Sequence, residues 1–273
     1  MFKQSLVFSI PHSGEKIPRD LTPWLLNLPE EVIMCDVDRF VDELYEVYLA
    51  EHSLSFVKTP WHRYAGDLNR LPEDIDQDSV EGSENPSGKF TRGFHWVSTT
   101  KQFRLMNTPM SASVHKQLVD LISKPFHSSL SELHSRARKA SGCVYHLDLH
   151  SMPSRGTSEH RDPGQDRVDV VISDQFGKSC SAPFRDLVIS SFVQAGFTVG
   201  YNWPYYGGRI TEQYGQPDQD IHVIQIELNR KIYMDEVSKQ KIQKDFKKAQ
   251  DQLRKALDYL LSRGEALRAS KVL

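Results

Sequence analysis

The sequence predicts an α/β protein, a three-layer α/β/α sandwich around a mixed, mostly parallel sheet. Short apolar, β-prone runs alternate along the chain with longer segments of helical periodicity. One run, Val144-Tyr145-His146-Leu147-Asp148-Leu149-His150, carries Val144, His146, Asp148 and His150 on one face and Tyr145, Leu147 and Leu149 on the other. No break in composition divides the 273 residues, so residues 1–273 read as one domain.

The totals narrow the function. A formal net charge of −2 and a pI near 6.6 support neither nucleic acid nor an anionic membrane as the main partner. Mean hydropathy is −0.51, and no apolar run is long enough to span a bilayer. Cys35, Cys143 and Cys180 are odd in number and far apart, which argues against a disulfide framework and fits a reducing cytoplasm. With no CxxC, a thiolate zinc site is not expected; with no GxGxxG or P-loop pattern, neither is a dinucleotide or an NTP.

Taken in order, residues 5–10 read as a first, buried strand of the mature chain, without the h-region and cleavage site of a signal peptide. Pro11-His12-Ser13-Gly14 follows, so His12 stands at the strand's carboxyl tip. Residues 21–50 carry helical periodicity, clearest in Val37, Phe40, Val41, Leu44, Tyr45, Tyr48 and Leu49. Asp36 and Asp38 precede that helix, as N-capping residues or as hard oxygen ligands. Residues 55–59 form a second strand, followed by Arg63 and Asp67-Leu68-Asn69-Arg70; arginines suit a two-pronged grip on a carboxylate.

Residues 72–107 read as a long loop excursion and a candidate lid, with Phe90, Phe94, Trp96 and Phe103 packing part of it. Residues 111–140 predict one long helix. The His146–His150 strand comes next, ended by Pro153, with His150 near its carboxyl end, where open α/β sheets place ligands. Ionisable groups on a buried strand face need partners or a metal. Residues 168–172 predict a strand, 182–195 a helix ended by Gly196, and 197–200 a brief strand. The latter enters Tyr201-Asn202-Trp203-Pro204-Tyr205-Tyr206-Gly207-Gly208-Arg209, a pocket wall. Residues 222–230 predict a buried strand in which Glu227 is costly to ionise, and 237–267 a closing amphipathic helix.

Pro11-His12-Ser13-Gly14, Asp38 with Val41-Asp42-Glu43-Leu44-Tyr45, Asp67-Leu68-Asn69-Arg70, Asp148-Leu149-His150-Ser151-Met152-Pro153, Gly207-Gly208 and Gln225-Ile226-Glu227-Leu228-Asn229-Arg230 together resemble the N-formylglutamate amidohydrolase family. The resemblance spans residues from about 7 to 235. It implies the phosphorylase/hydrolase-like fold of zinc carboxypeptidases and aspartoacylases. It also implies zinc held by His12, His150 and an acid. The more distant relatives place that acid three residues after the first histidine, where Glu15 stands; the family's own pattern puts it at Asp38, with Asp36 a further alternative. By the same resemblance Glu227 is the general base and acid, Arg63 steadies the oxyanion, and Asn69 and Arg70 hold a substrate carboxylate; Arg209, after the double glycine, is a second candidate for the anionic end. Asp148 would orient its neighbours by hydrogen bonding. The expected activity is zinc-dependent hydrolysis of N-formyl-L-glutamate to formate and glutamate, of the kind used in histidine degradation. The alternatives are another N-acyl amino acid or a short peptide-like amide as substrate. A non-catalytic binding protein on this scaffold is disfavoured by the joint presence of His12, Asp38, His150 and Glu227.

Overall fold

The computed structural model describes residues 2–76, 78–83 and 92–269. The apolar runs form strands β1 (Leu6–Ile10), β2 (Ser55–Lys58), β3 (Val144–Met152), β4 (Val170–Ser173), β5 (Val199–Tyr201) and β6 (Ile221–Asn229). β1 and β3 are buried along their whole length, as strands covered on both faces must be. The sheet order is β2-β1-β3-β6-β4-β5. β2, β1, β3 and β6 run parallel; β4 is antiparallel to β6 and parallel to β5. The expected mixed, mostly parallel sheet is therefore present, with its one reversal at β6–β4.

The helices are α1 (Glu30–Ile33), α2 (Val41–Glu51), α3 (Ala112–Leu118), α4 (Lys124–Ser141), α5 (Ala182–Gln194), α6 (Arg209–Tyr214) and α7 (Gln243–Ala269). Leu44, Tyr45 and Leu49 of α2, Phe184, Val188 and Phe192 of α5, and Leu253 and Leu257 of α7 pack with Phe8, Leu147, Leu149 and Ile226 of the sheet. Leu118 of α3, Phe126 and Leu130 of α4 and Ile210 of α6 pack with Val7, Val144 and Val223 from the opposite face. Alternation along β3 thus sends Leu147 and Leu149 to one layer and His146, Asp148 and His150 toward the other.

Three expected elements differ. Residues 21–50 hold only α2 and the single turn α1, because Pro23 and Pro29 exclude helix from the residues before them. Residues 111–140 are not one regular helix. Val119–Ser123 is a π segment between α3 and α4, next to Pro125, which has no N–H to give to the preceding turn. The last helix starts at Gln243 rather than 237, since Asp235 Oδ1 takes the N–H groups of Val237 and Ser238 into a turn. In the 72–107 excursion, Phe94 and Trp96 are buried but Phe103 is 47% exposed; Phe90 lies outside the described residues.

Among the described residues, no helix is long and apolar enough to cross a membrane. The three cysteines are buried and free of disulfides.

Candidate active site

Parallel register brings three strand ends to one place. β1 stops before Pro11 and His12; beside it β3 carries His150, which sits opposite Glu227 of β6. The loop after β1 is held against residues 60–62 by Lys16 N–H to the Pro60 carbonyl and His62 N–H to the Lys16 carbonyl. Gly14 is needed there: a Cβ would lie 2.5 Å from the Pro60 carbonyl carbon. Asp38 N–H donates to the His12 carbonyl at 3.0 Å, tying the segment before α2 to the same loop. Neither Asp36 nor Asp38 caps α2; its N-cap is Phe40, at φ 68° and without a side-chain cap bond.

His12, Asp38 and His150 offer ligand atoms within 4.8 Å of one another, and all three are buried. His12 Nε2 lies 2.7 Å from Asp67 Oδ1, and His150 Nε2 lies 2.7 Å from Asp148 Oδ2. A carboxylate accepts only, so each Nε2 carries a proton and each Nδ1 remains to take a second proton or a metal ion. Both Nδ1 atoms face Asp38 Oδ2, His150 at 3.1 Å and His12 at 3.5 Å. His12 Nδ1 has no hydrogen-bond partner although it is fully buried. Two imidazole nitrogens and a carboxylate oxygen converging at a buried point require a cation or a proton between them. Two imidazoles and a carboxylate, each histidine backed by a second carboxylate, are a donor set that suits zinc.

The charges agree with this geometry. Burial raises the Asp38 carboxyl, but hydrogen bonds and charge from His12 and His150 outweigh it and hold the group well below the usual carboxylate range. Burial likewise opposes ionisation of Asp67, yet Arg63 and then His12 keep it ionised. Burial works against a charged His150, but Asp148 and Asp38 raise it well above an ordinary imidazole. Glu227 is pushed up to about 7, chiefly by burial. Gln225 Nε2 donates to its Oε1 at 2.8 Å.

The remaining expected residues divide. Arg63, Asn69 and Arg70 line the cavity of about 230 Å³ that also holds His12, Asp38, His150 and Glu227. Arg63 donates to Asp67 Oδ2 and the Asp36 carbonyl and lies over the Trp96 ring, while its Nε is a buried donor without a partner. Asn69 accepts from Ile210 N–H at 2.7 Å and donates to Gln225 Oε1, so it also docks α6; a Cβ on Gly208 would collide with it. Arg70 is fastened to the carbonyls of Arg92 and Asn69. Arg209 is not among the cavity-lining residues and is ion-paired with Asp74 and Glu212. Of the alternative acids, Glu15 pairs with Arg39 at the surface, and Asp36 lines the cavity but is taken by Thr100 and Tyr64.

Three contributors had no assigned role in the sequence. Asp67 orients His12. Arg230 fixes the other oxygen of Asp38 at 3.1 Å and also holds Ser151 Oγ and the Cys35 carbonyl. Arg161 lines the cavity across the faces of Trp203 and Tyr206. Asp67 and Arg230 both lie inside motifs legible in the sequence; Arg161 lies in a loop with no pattern to mark it.

Two buried histidines and a glutamate of raised pKa at the carboxyl ends of neighbouring strands, with an aspartate from the segment before α2 between the histidines, define an α/β protein with a hydrolase-type site. The chain belongs to the N-formylglutamate amidohydrolase family, whose sequence model matches residues 4–234. It is 26% identical over 234 residues to N-formylglutamate deformylases of Pseudomonas aeruginosa and Pseudomonas putida, covering 85% of this chain and 82% of each relative. A crystal structure of N-formylglutamate amidohydrolase from Ralstonia eutropha superposes with a TM-score of 0.82 at 26% identity, covering 95% of this chain and 94% of that one. An Agrobacterium tumefaciens gene product at 18% identity and a TM-score of 0.68 shares the fold, covering 96% of this chain and 92% of its own.

Proposed function

We propose that the protein is a zinc-dependent amidohydrolase that cleaves N-formyl-L-glutamate to formate and L-glutamate. The observation that carries this is the convergence of the Nδ1 atoms of His12 and His150 on one oxygen of Asp38 beside Glu227. The names of the Pseudomonas and Ralstonia relatives support the substrate.

His12, Asp38 and His150 would hold the metal. Zinc in such a site supplies Lewis acidity toward water and the scissile carbonyl. Glu227 takes a proton from the attacking water and returns it to the amide nitrogen as the C–N bond breaks. A carboxyl with a pKa of about 7 is matched to both transfers. The partnerless Nε–H of Arg63 is the donor suited to the developing oxyanion. Asn69 and Arg70 take the substrate carboxylate at the cavity wall; Arg209, bound to Asp74 and Glu212, reaches it only by giving up those partners. A soluble small molecule is the partner this cavity fits, and cytoplasmic action is consistent with three free cysteines.

Metal content and formate release, measured on the same preparation, test the reading. Near one zinc per chain is expected. Chelation should abolish release from N-formyl-L-glutamate, and added zinc should restore it. Zinc binding with turnover only of other N-acyl amino acids would overturn the substrate; absence of zinc binding and of activity would overturn the chemistry.

A further inference from the structure

The hydrogen bonds that leave the candidate metal site through His150 do not end at Asp148. Ser9 Oγ lies 2.5 Å from Asp148 Oδ1 and 2.7 Å from His146 Nε2. His146 Nδ1 lies 3.1 Å from His134 Nε2 on α4. Ser9, His146, Asp148 and His150 are buried, and His134 is 7% exposed. Chemistry fixes the direction of every bond in this line. An ionised carboxylate only accepts, and a hydroxyl has one proton, so Ser9 donates to Asp148. Its oxygen must then accept from His146 Nε2–H. A neutral imidazole protonated at Nε2 accepts at Nδ1, so His134 donates to it from Nε2. Burial keeps both rings neutral, pushing His146 down to about 4 and His134 to about 2.

We propose that Ser9 and His146 are positioning residues for His150, holding Asp148 so that His150 turns Nδ1, in one tautomer and one orientation, toward a bound metal ion. The proposal rests on the metal-hydrolase reading above. The other histidine is held differently. Asp67, behind His12, receives the Arg63 guanidinium, Trp96 Nε1–H and Asn69 N–H. A cation beside Asp67 neutralises it, whereas the neutral Ser9–His146–His134 line leaves the charge of Asp148 to His150. His150 is therefore backed by the less neutralised of the two carboxylates.

The test is zinc affinity, by competition with a chromophoric chelator, together with the visible spectrum of the cobalt-substituted protein. Ser9→Ala and His146→Leu should each weaken zinc binding by about 10–100-fold and alter the cobalt bands. His146→Gln, which can still donate and accept, should recover most of the affinity. Ser191→Ala removes an unconnected buried hydroxyl, bonded to the Val188 carbonyl on α5, and should bind zinc like the wild type. Wild-type affinity in Ser9→Ala and His146→Leu would overturn the proposal, as would an equal loss in Ser191→Ala. Should Ser9→Ala not fold, the two His146 variants decide. If the wild-type protein binds no zinc, it is the underlying reading that fails, before any variant is compared.

Discussion

Glu227 combines in one side chain the two properties a proton carrier requires: a pKa of about 7 and a place in register with His150. Glu227→Gln keeps the shape and the contact side for Gln225 but cannot carry a proton. It should bind metal as the wild type does and lose about 10²–10⁴-fold in kcat. Turnover near the wild-type level in the metal-loaded variant would remove Glu227 from the chemistry. At this scale the sequence was legible wherever period and position act together. Two-residue alternation placed His150 on a polar face, and the strand tips placed His12 and Glu227. It was illegible where a side chain is chosen by a distant partner. Glu15 has the spacing of a ligand, yet its carboxylate meets Arg39, 24 residues on. Arg230 acts on Asp38 across 192 residues, a pairing that no local pattern announces.

The element that decides the site is the loop after β1. It must turn from the strand, present His12 and Ser13, and press its backbone onto residues 60–61 at Gly14. A methyl there meets backbone rather than the yielding end of a side chain, so the loop itself has to shift. Gly14→Ala should lower stability by about 1–3 kcal/mol and weaken metal binding, because the displaced loop carries both His12 Nδ1 and the carbonyl that holds Asp38. Denaturant unfolding and chelator competition on one variant check both; a loss of stability with intact metal affinity would mean that His12 is held independently of Gly14. The sheet's strands could be read from their apolar runs because burial on two faces leaves a strong compositional mark. The helical layer was harder. Pro23 and Pro29 cut a region whose side-chain spacing still looks helical, and the π segment ahead of Pro125 leaves the apolar period almost unchanged while altering the backbone. Periodicity reports which residues face the core and is blind to a missing N–H.

At the scale of the whole molecule, the striped pattern of apolar and polar positions hides a large number of buried rings. His62, His95, His134 and His146 are enclosed outside the His12–Asp38–His150 group. Burial pushes them down to about 4, 3, 2 and 4, against about 6.5 for an unfolded histidine. A folded pKa below the unfolded one means that the unfolded chain takes up protons first as pH falls. The stability tied to these rings is therefore complete above pH 6.5 and is lost as pH drops from about 6.5 toward 4, by about 1.4 kcal/mol per pH unit for each. Glu227 opposes them. Its folded pKa of about 7 lies above the unfolded carboxyl value, so its contribution grows as pH falls through the same interval. His150, raised in the fold, adds nothing further once the pH is below 6.5. Asp38, Asp67 and Asp148, all held below the ordinary carboxylate range, keep their contribution down to about pH 4 and lose it only beneath that. These four rings, joined by His115, His127 and His160, which burial also lowers, outweigh one carboxyl and leave a net loss on acidification. The urea midpoint of the metal-free protein should accordingly fall steadily between pH 6.5 and 5 with an unchanged m-value. A midpoint that holds level across that interval would mean that these histidines accept protons in place, and that the packing which keeps them neutral does not resist their charge.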